Sequence, residues 1–346
     1  MPLIHTLGLA DGAVLVAFFV VIVVITILTS RRATSTQGYF LANRSAQGWV
    51  LGLSFVSMSI SSIGFLAFPA AAYEGNWGGL IPFLVMPLAA IVADRLFLPL
   101  YRRIHITSGY EYLERRFGAF ARFYGSTMFL ALQVGRVGLI LVLMSLPLTL
   151  LTGMDQTHVI ALCGLFTTTY VLFGGLATVL WTEVMQAIVL LVSLLFCIGL
   201  IFWQLPGGMG EVFSVGYAAN KFAFPPWRIA GASPMTAFCQ LTFVVLFLHG
   251  VFNQLLYYGA DQNVIQRYLA AGSHRHARQG LWIGSFGVIP VFLVLMFLGT
   301  ALFVYYQRFP DPAVEKLPPD QVFPYFILTR LPAGAGRRGP DRPLDH

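Results

Sequence analysis

The stretch "LALQVGRVGLILVLM", Leu130 to Met144, sets an arginine in the middle of an apolar run. No acidic residue lies within ten positions of Arg136 on either side. A soluble helix hydrophobic all round would be a core helix, and a core helix does not take up an unpaired guanidinium. The alternative surroundings are lipid. There an ionisable side chain faces the bundle interior or a water-filled cavity and marks a functional site by default.

The rest of the chain agrees with a membrane. Of its 346 residues, 57% are hydrophobic and 10% charged, and the mean hydropathy is +0.76. A soluble domain carries about 25% charged residues. Apolar runs long enough to span hydrocarbon, about 20 residues, fall at 11–29, 47–73, 78–100, 120–151, 157–174, 179–204, 237–257 and 279–306. The spacing predicts an all-α polytopic membrane protein of about eight transmembrane helices. The first run lacks a basic leader and a small-residue cleavage site, and Arg31 and Arg32 follow it directly. It reads as a first membrane helix, not a cleaved signal.

The net charge of +7 is no nucleic-acid footprint, because the basic residues sit in short loops between apolar runs. With the N-terminus outside, twelve arginines from Arg31 to Arg278 fall on the inner face. Before the C-terminal tail, only Lys221, Arg228, Arg308, Lys316 and Arg330 fall outside. That bias predicts an N-out chain, and a plasma (inner) membrane is the expected location. Cys163, Cys197 and Cys239 each lie inside or beside an apolar run and read as small hydrophobes. A membrane enzyme would want paired acids or a His/Asp cluster near one interface, and an ATP-driven pump would want a Walker A loop. Neither pattern is present, so no enzymatic role is expected.

The second run, "SFVSMSISSIGFLAFPAAAYEGNW" from Ser54 to Trp77, has serine at four of the six positions 57–62, then Gly64 and Pro69. Small hydroxyl residues let helices pack closely. The same composition also suits a broken helix whose freed carbonyls bind a cation. Arg136 likewise has two readings. Its guanidinium is either bonded to backbone carbonyls of its own chain, or is a planar fork waiting for a carboxylate. Glu183, in "WTEV", reads from its position as a carboxylate favoured by a helix N-terminus.

Four stretches carry a family resemblance: "GYFLANRS" (38–45), "RRIHITSGYEYLERRFG" (102–118), "YVLFGGLATVLWTEVMQ" (170–186) and "DQNVIQRYLAA" (261–271). In this order the chain resembles the sodium:solute symporter family over about residues 10–332. "VGRVGLI" (134–140) and "GTALFVYYQ" (299–307) are most similar to its sialic acid branch.

The resemblance implies a LeuT-type fold of two inverted five-helix repeats preceded by one helix. It implies sodium-coupled symport of a small, anionic organic solute such as sialic acid, in a lipid bilayer and with no obligatory protein partner. Sodium would be held by the backbone carbonyls of Ser57 and Ile60, with Glu183 feeding or holding a second ion. Ser59, Ser61, Gly64, Phe83 and Arg136 would contact the substrate, Arg136 through its carboxylate. Where Gly64 and Phe83 stand, the branch tends to have a hydroxyl and an amide, so a less hydroxylated acid is implied. The inner-loop residues Glu111, Glu114, Asp261, Gln262, Gln266 and Arg267 are expected to tie loops together or cap helices.

The end departs from the family. Residues 1–332 read as an incomplete transporter domain, and 333–346 as a polar tail. In "AGRRGPDRPLDH" (335–346), eight of twelve residues are charged, proline or histidine, where the family has an apolar, Ser/Thr-bearing ninth helix. A premature end or shifted reading frame is the expectation. The chain alone is then expected to insert without transporting, as a non-transporting fragment would.

Overall fold

The computed structural model describes residues 9–30, 35–60, 62–104, 106–227 and 242–330. The expected Ser61 contact, Cys239, Arg31, Arg32, Arg228 and the polar tail lie outside these residues.

Helix α1 (Leu9–Ser30) opens the chain. A short α2 (Thr36–Leu41), capped by the Ser35 hydroxyl on the Gly38 N–H, leads into α3 (Gly48–Ser59) and α4 (Ser62–Glu74). These two form a single span bent by 56°. The break falls inside the serine cluster, so the segment is broken and not merely close-packed. α5 (Trp77–Arg103) is a succession of short turns, with Pro82, Pro87 and Pro99 each in the first turn of a piece. Proline fits there because the first-turn N–H has no helical partner to lose.

The arginine-rich face carries the short helix α6 (Gly109–Phe117), and α7 (Ala119–Thr152) returns across the membrane with Arg136 at its middle. α8 (Gln156–Gln204) holds 49 residues. A straight helix of that length would be about 73 Å long, more than twice the roughly 30 Å of hydrocarbon. Gly175 resolves the conflict with φ 61° and ψ −161°, a conformation open essentially to glycine alone. The two runs expected at 157–174 and 179–204 are therefore joined by one non-helical residue, not by a loop. Then follow α9 (Gly208–Ala218), α10 (Phe243–Ala260), α11 (Gln262–Ala270), α12 (His274–Arg308) and α13 (Pro319–Arg330). The stretch 307–332 thus holds a helix of its own. It is anchored by Phe323 against Phe65 and Phe326 against Tyr305, with ring centroids 5.2 and 5.3 Å apart.

Among the described residues six helices are long and apolar enough to cross a membrane, and the bent pair makes a seventh. Dividing α8 at Gly175 gives eight. The most buried is α12, which lies along α3 and α4 with Gly280 and Gly284 against Leu51 and Phe55. Lipid offers no hydrophobic incentive for this contact, so close backbone approach supplies it. Gly299 is an extreme case: an added Cβ would collide with the Pro69 carbonyl of α4.

The short loops of the arginine-rich face are knitted together. The Ala46 N–H donates to Ala270 O (3.1 Å) and the Gly272 N–H to Ala46 O (3.0 Å), a parallel bridge between distant loops. Gln266 donates to Phe40 O, and the Gln262 side chain accepts from the Gly109 N–H, both at 2.9 Å. Asp261 caps α11 through the Asn263 N–H, and Arg102 donates to Tyr268 O and Ala271 O at that helix's other end. A cation among the terminal carbonyls satisfies groups the helix leaves open. Glu111 accepts from the Thr107 N–H and hydroxyl and from Arg115. Burial works against its charge, but these donors outweigh it and hold the carboxyl below its ordinary value.

On the opposite face Lys221, 7% exposed, closes α4. Its ammonium donates to Tyr73 O (2.6 Å) and Glu74 O (3.1 Å) and sits 4.1 Å above the centre of the Phe303 ring on α12. Lys221→Met should strand those carbonyls and lower stability by about 1–3 kcal/mol. Denaturant titration in mixed micelles measures it. A change under 0.5 kcal/mol would mean the clamp is idle.

Candidate functional site

The broken span organises the site. Two cavities flank the end of α3. One, of about 590 Å³, is lined by Ser57, Ile60, Phe65 and Leu66 at the break, and by residues of α1, α7, α8 and α13, Gln186 and Ser193 among them. The other, of about 480 Å³, is lined by Met58 of α3, by Gln133, Arg136 and Val137 of α7, by Gly175 and Glu183 of α8, and by Tyr39, Asn263, Gln266 and Arg267 from the arginine-rich face. Adjacent residues Ser57 and Met58 thus face different spaces, as successive residues of a helix must.

The expected residues divide between these spaces. Ser57 and Ile60 stand together at the break, where the Ile60 N–H donates to Ser57 O (3.1 Å). A carbonyl oxygen keeps a second lone pair after one such bond, and the end of α3 leaves carbonyls without helical partners. This is a hard-oxygen environment, suited to a monovalent cation. Among the described residues no group of three or more His, Cys, Asp or Glu comes together. The Ser59 hydroxyl bonds back to Phe55 O (2.9 Å).

Gly64 and Phe83 meet an aromatic cluster instead. Phe83 stacks on the fully buried Phe292, centroids 3.6 Å apart, and stands edge-on to Phe68 at 5.3 Å. A Cβ on Gly64 would touch the same Phe68 ring at 3.4 Å. Both positions thus border one aromatic cluster.

Arg136 forms no hydrogen bond or ion pair with any described residue. Of its two readings, capture by its own chain's carbonyls is not what the structure shows. Gln133, one turn earlier, lies on the same helix face and lines the same cavity.

Glu183 is placed otherwise than its sequence context suggested. It lies eight residues beyond the break at Gly175, past the first turn where a helix dipole acts. Its carboxylate is met by Arg267, whose Nη2 stands 2.6 Å from both oxygens, and by the hydroxyl of Ser54. Arg267 also donates to Ser54 Oγ (2.7 Å) and Asn263 O (2.8 Å). Arg267 is buried and Glu183 partly buried, with side-chain exposures of 4% and 17%. Sequence reasoning assigned Arg267 to loop tethering and missed this partner. The available signal was a second arginine at the end of an amphipathic loop helix.

A helical membrane protein with a broken span between two cavities, one lined by a cation without a partner among the described residues, has the architecture of an inverted-repeat secondary transporter. The sequence pattern of the Sodium:solute symporter family matches residues 39–329, and the chain belongs to that family. It is 30% identical over 339 residues to the sodium/sialic acid symporter SiaT of Proteus mirabilis, covering 96% of this chain and 66% of the relative. It is 29% identical to the sodium/sialic acid symporter NanT of Aliivibrio fischeri, covering 95% and 64%. With the sodium-coupled monocarboxylate transporter 1 of Xenopus laevis it shares 27% identity over 86% of this chain and 47% of that one.

The chain thus spans just under two thirds of the two bacterial relatives. A solved structure of a Na+-coupled sialic acid symporter, substrate-bound and outward-open, superposes with a TM-score of 0.86 at 29% identity, covering 95% of this chain and 68% of that one. The fold is accordingly LeuT-type, and the protein is a multi-pass membrane protein.

Proposed function

We propose that this chain serves sodium-coupled symport of a small organic carboxylate such as sialic acid, across a plasma membrane with its N-terminus outside. The observation that carries the proposal is Arg136: a guanidinium in the middle of a membrane-crossing helix, lining a cavity, with no partner among the described residues. A cation so placed is costly to insert, and a substrate carboxylate compensates it bidentately. The relatives named above are symporters of sialic acid or transporters of monocarboxylates, all anions.

The carbonyls of Ser57 and Ile60 at the break would hold sodium, which supplies the driving gradient. The aromatic surface around Phe83 and Gly64 favours an acid with fewer hydroxyls than sialic acid. A second sodium at Glu183 would first have to displace Arg267. The twelve-to-five distribution of basic residues supports the N-out orientation.

The test is ligand binding by the purified protein in detergent, followed by calorimetry. Sialic acid or pyruvate should bind, and sodium should tighten the binding where potassium does not. Arg136→Gln should weaken either acid roughly 10- to 100-fold by removing a charge-assisted pair. Binding unaffected by that substitution would end the carboxylate assignment.

A further inference from the structure

Arg267 is the second guanidinium of the Arg136 cavity. Its charge is cancelled by Glu183, with Ser54 bonded to both partners. A buried ion pair contributes little net stability, because desolvating both ions costs about what their attraction returns. Tethering α11 to α8 could be done by apolar contact. An ion pair bordering an anion-sized cavity has another property: its partners can be exchanged.

We infer that Arg267 is a second carboxylate-binding residue, held in reserve by Glu183 and released to the anion beside Arg136 when the Glu183 charge is neutralised. This rests on the reading of Arg136 as a carboxylate ligand. The charges give the reason. With Glu183 ionised, two guanidiniums and one carboxylate line the cavity, a net charge of +1 that one monocarboxylate balances. With Glu183 neutralised the net charge is +2, and the planar fork of Arg267 is unpaired. The amides of Gln133, Asn263 and Gln266 line the same space, and their N–H groups can donate to an anion. Any cation that takes over the Glu183 carboxylate therefore strengthens anion binding, and the anion strengthens cation binding by the same factor. The pair at Glu183 becomes a coupling element as well as a brace.

The experiment measures pyruvate binding to the purified protein, with pyruvate added as its choline salt so that sodium is absent. Glu183→Gln keeps the shape of the side chain and its contact with Ser54 but removes the charge. It should bind pyruvate roughly tenfold tighter than the parent, the worth of one further charge-assisted pair. Glu183→Gln/Arg267→Gln, which restores the charge balance, should return to the parent's affinity. Ser54→Ala, which loosens the pair without altering any charge, should shift affinity the same way by a smaller factor.

No gain in Glu183→Gln and Ser54→Ala overturns the inference, as does a gain that persists without Arg267. If those variants fail while Arg136→Gln still weakens binding, only the role of Arg267 falls. If Arg136→Gln binds like the parent, the carboxylate reading falls and this inference with it.

Discussion

Replacing Arg267 by methionine should cost about 3 kcal/mol of folding stability, because it leaves the partly buried Glu183 charged and without its cation. Methionine fills similar space, so lost packing contributes little. The electrostatic origin makes a second expectation: Glu183→Gln/Arg267→Met, with both charges gone, should recover to within about 1 kcal/mol of the parent. The Ser54 hydroxyl keeps a partner in that variant, since it can donate to the glutamine carbonyl. Denaturation in mixed micelles of the two single variants and the double one measures the coupling. Equal losses in Arg267→Met and in the double variant would mean that Arg267 acts through shape alone. The consequence extends beyond stability. The pair joins α8 to α11, and Ser54 adds α3, so the single variant should also loosen the cavity wall behind Arg136.

That network shows what could be read from the sequence and what could not. Apolar runs of about 20 residues announce membrane helices because the bilayer admits few other structures. The serine cluster followed by Gly64 and Pro69 pointed to a possible break, and the 56° bend falls there. Arg136 drew attention because a cation in hydrocarbon needs an explanation. Composition could not assign partners.

Glu183 and Arg267 are 84 positions apart and meet only because α8 and α11 pack beside the same end of α3. Nor could spacing foretell that Ser57 and Met58 open onto different cavities, or that Phe83 would stack on Phe292. Those facts depend on helix rotation, which packing sets and a lone sequence leaves free. The break in α8 falls at Gly175, inside the gap left between the expected runs 157–174 and 179–204, but its form was not legible. A loop and a one-residue break need the same short interruption of apolar text, and "FGG" suits both.

Gly175→Ala should destabilise the protein by about 3 kcal/mol or more. Two costs add. At φ 61° and ψ −161° an alanine is strained by roughly 1–3 kcal/mol. The new methyl would also stand 2.7 Å from the Tyr39 carbonyl oxygen and 3.2 Å from its Cα, backbone atoms that a rotamer change cannot clear. Either α2 retreats or the joint straightens, and both move the wall of the Arg136 cavity, since Tyr39 and Gly175 line it together. The variant should therefore lose acid binding in parallel with stability, although no atom of Gly175 is a plausible ligand. Gly164→Ala tests the specificity: it lies in the same helix, on its regular part, where an added Cβ meets only Leu141 at an ordinary 3.8 Å. It should be neutral or slightly stabilising, since alanine is the better helix former by about 1 kcal/mol. If Gly175→Ala melts and binds like Gly164→Ala, the one-residue joint is not what divides α8 into two spans.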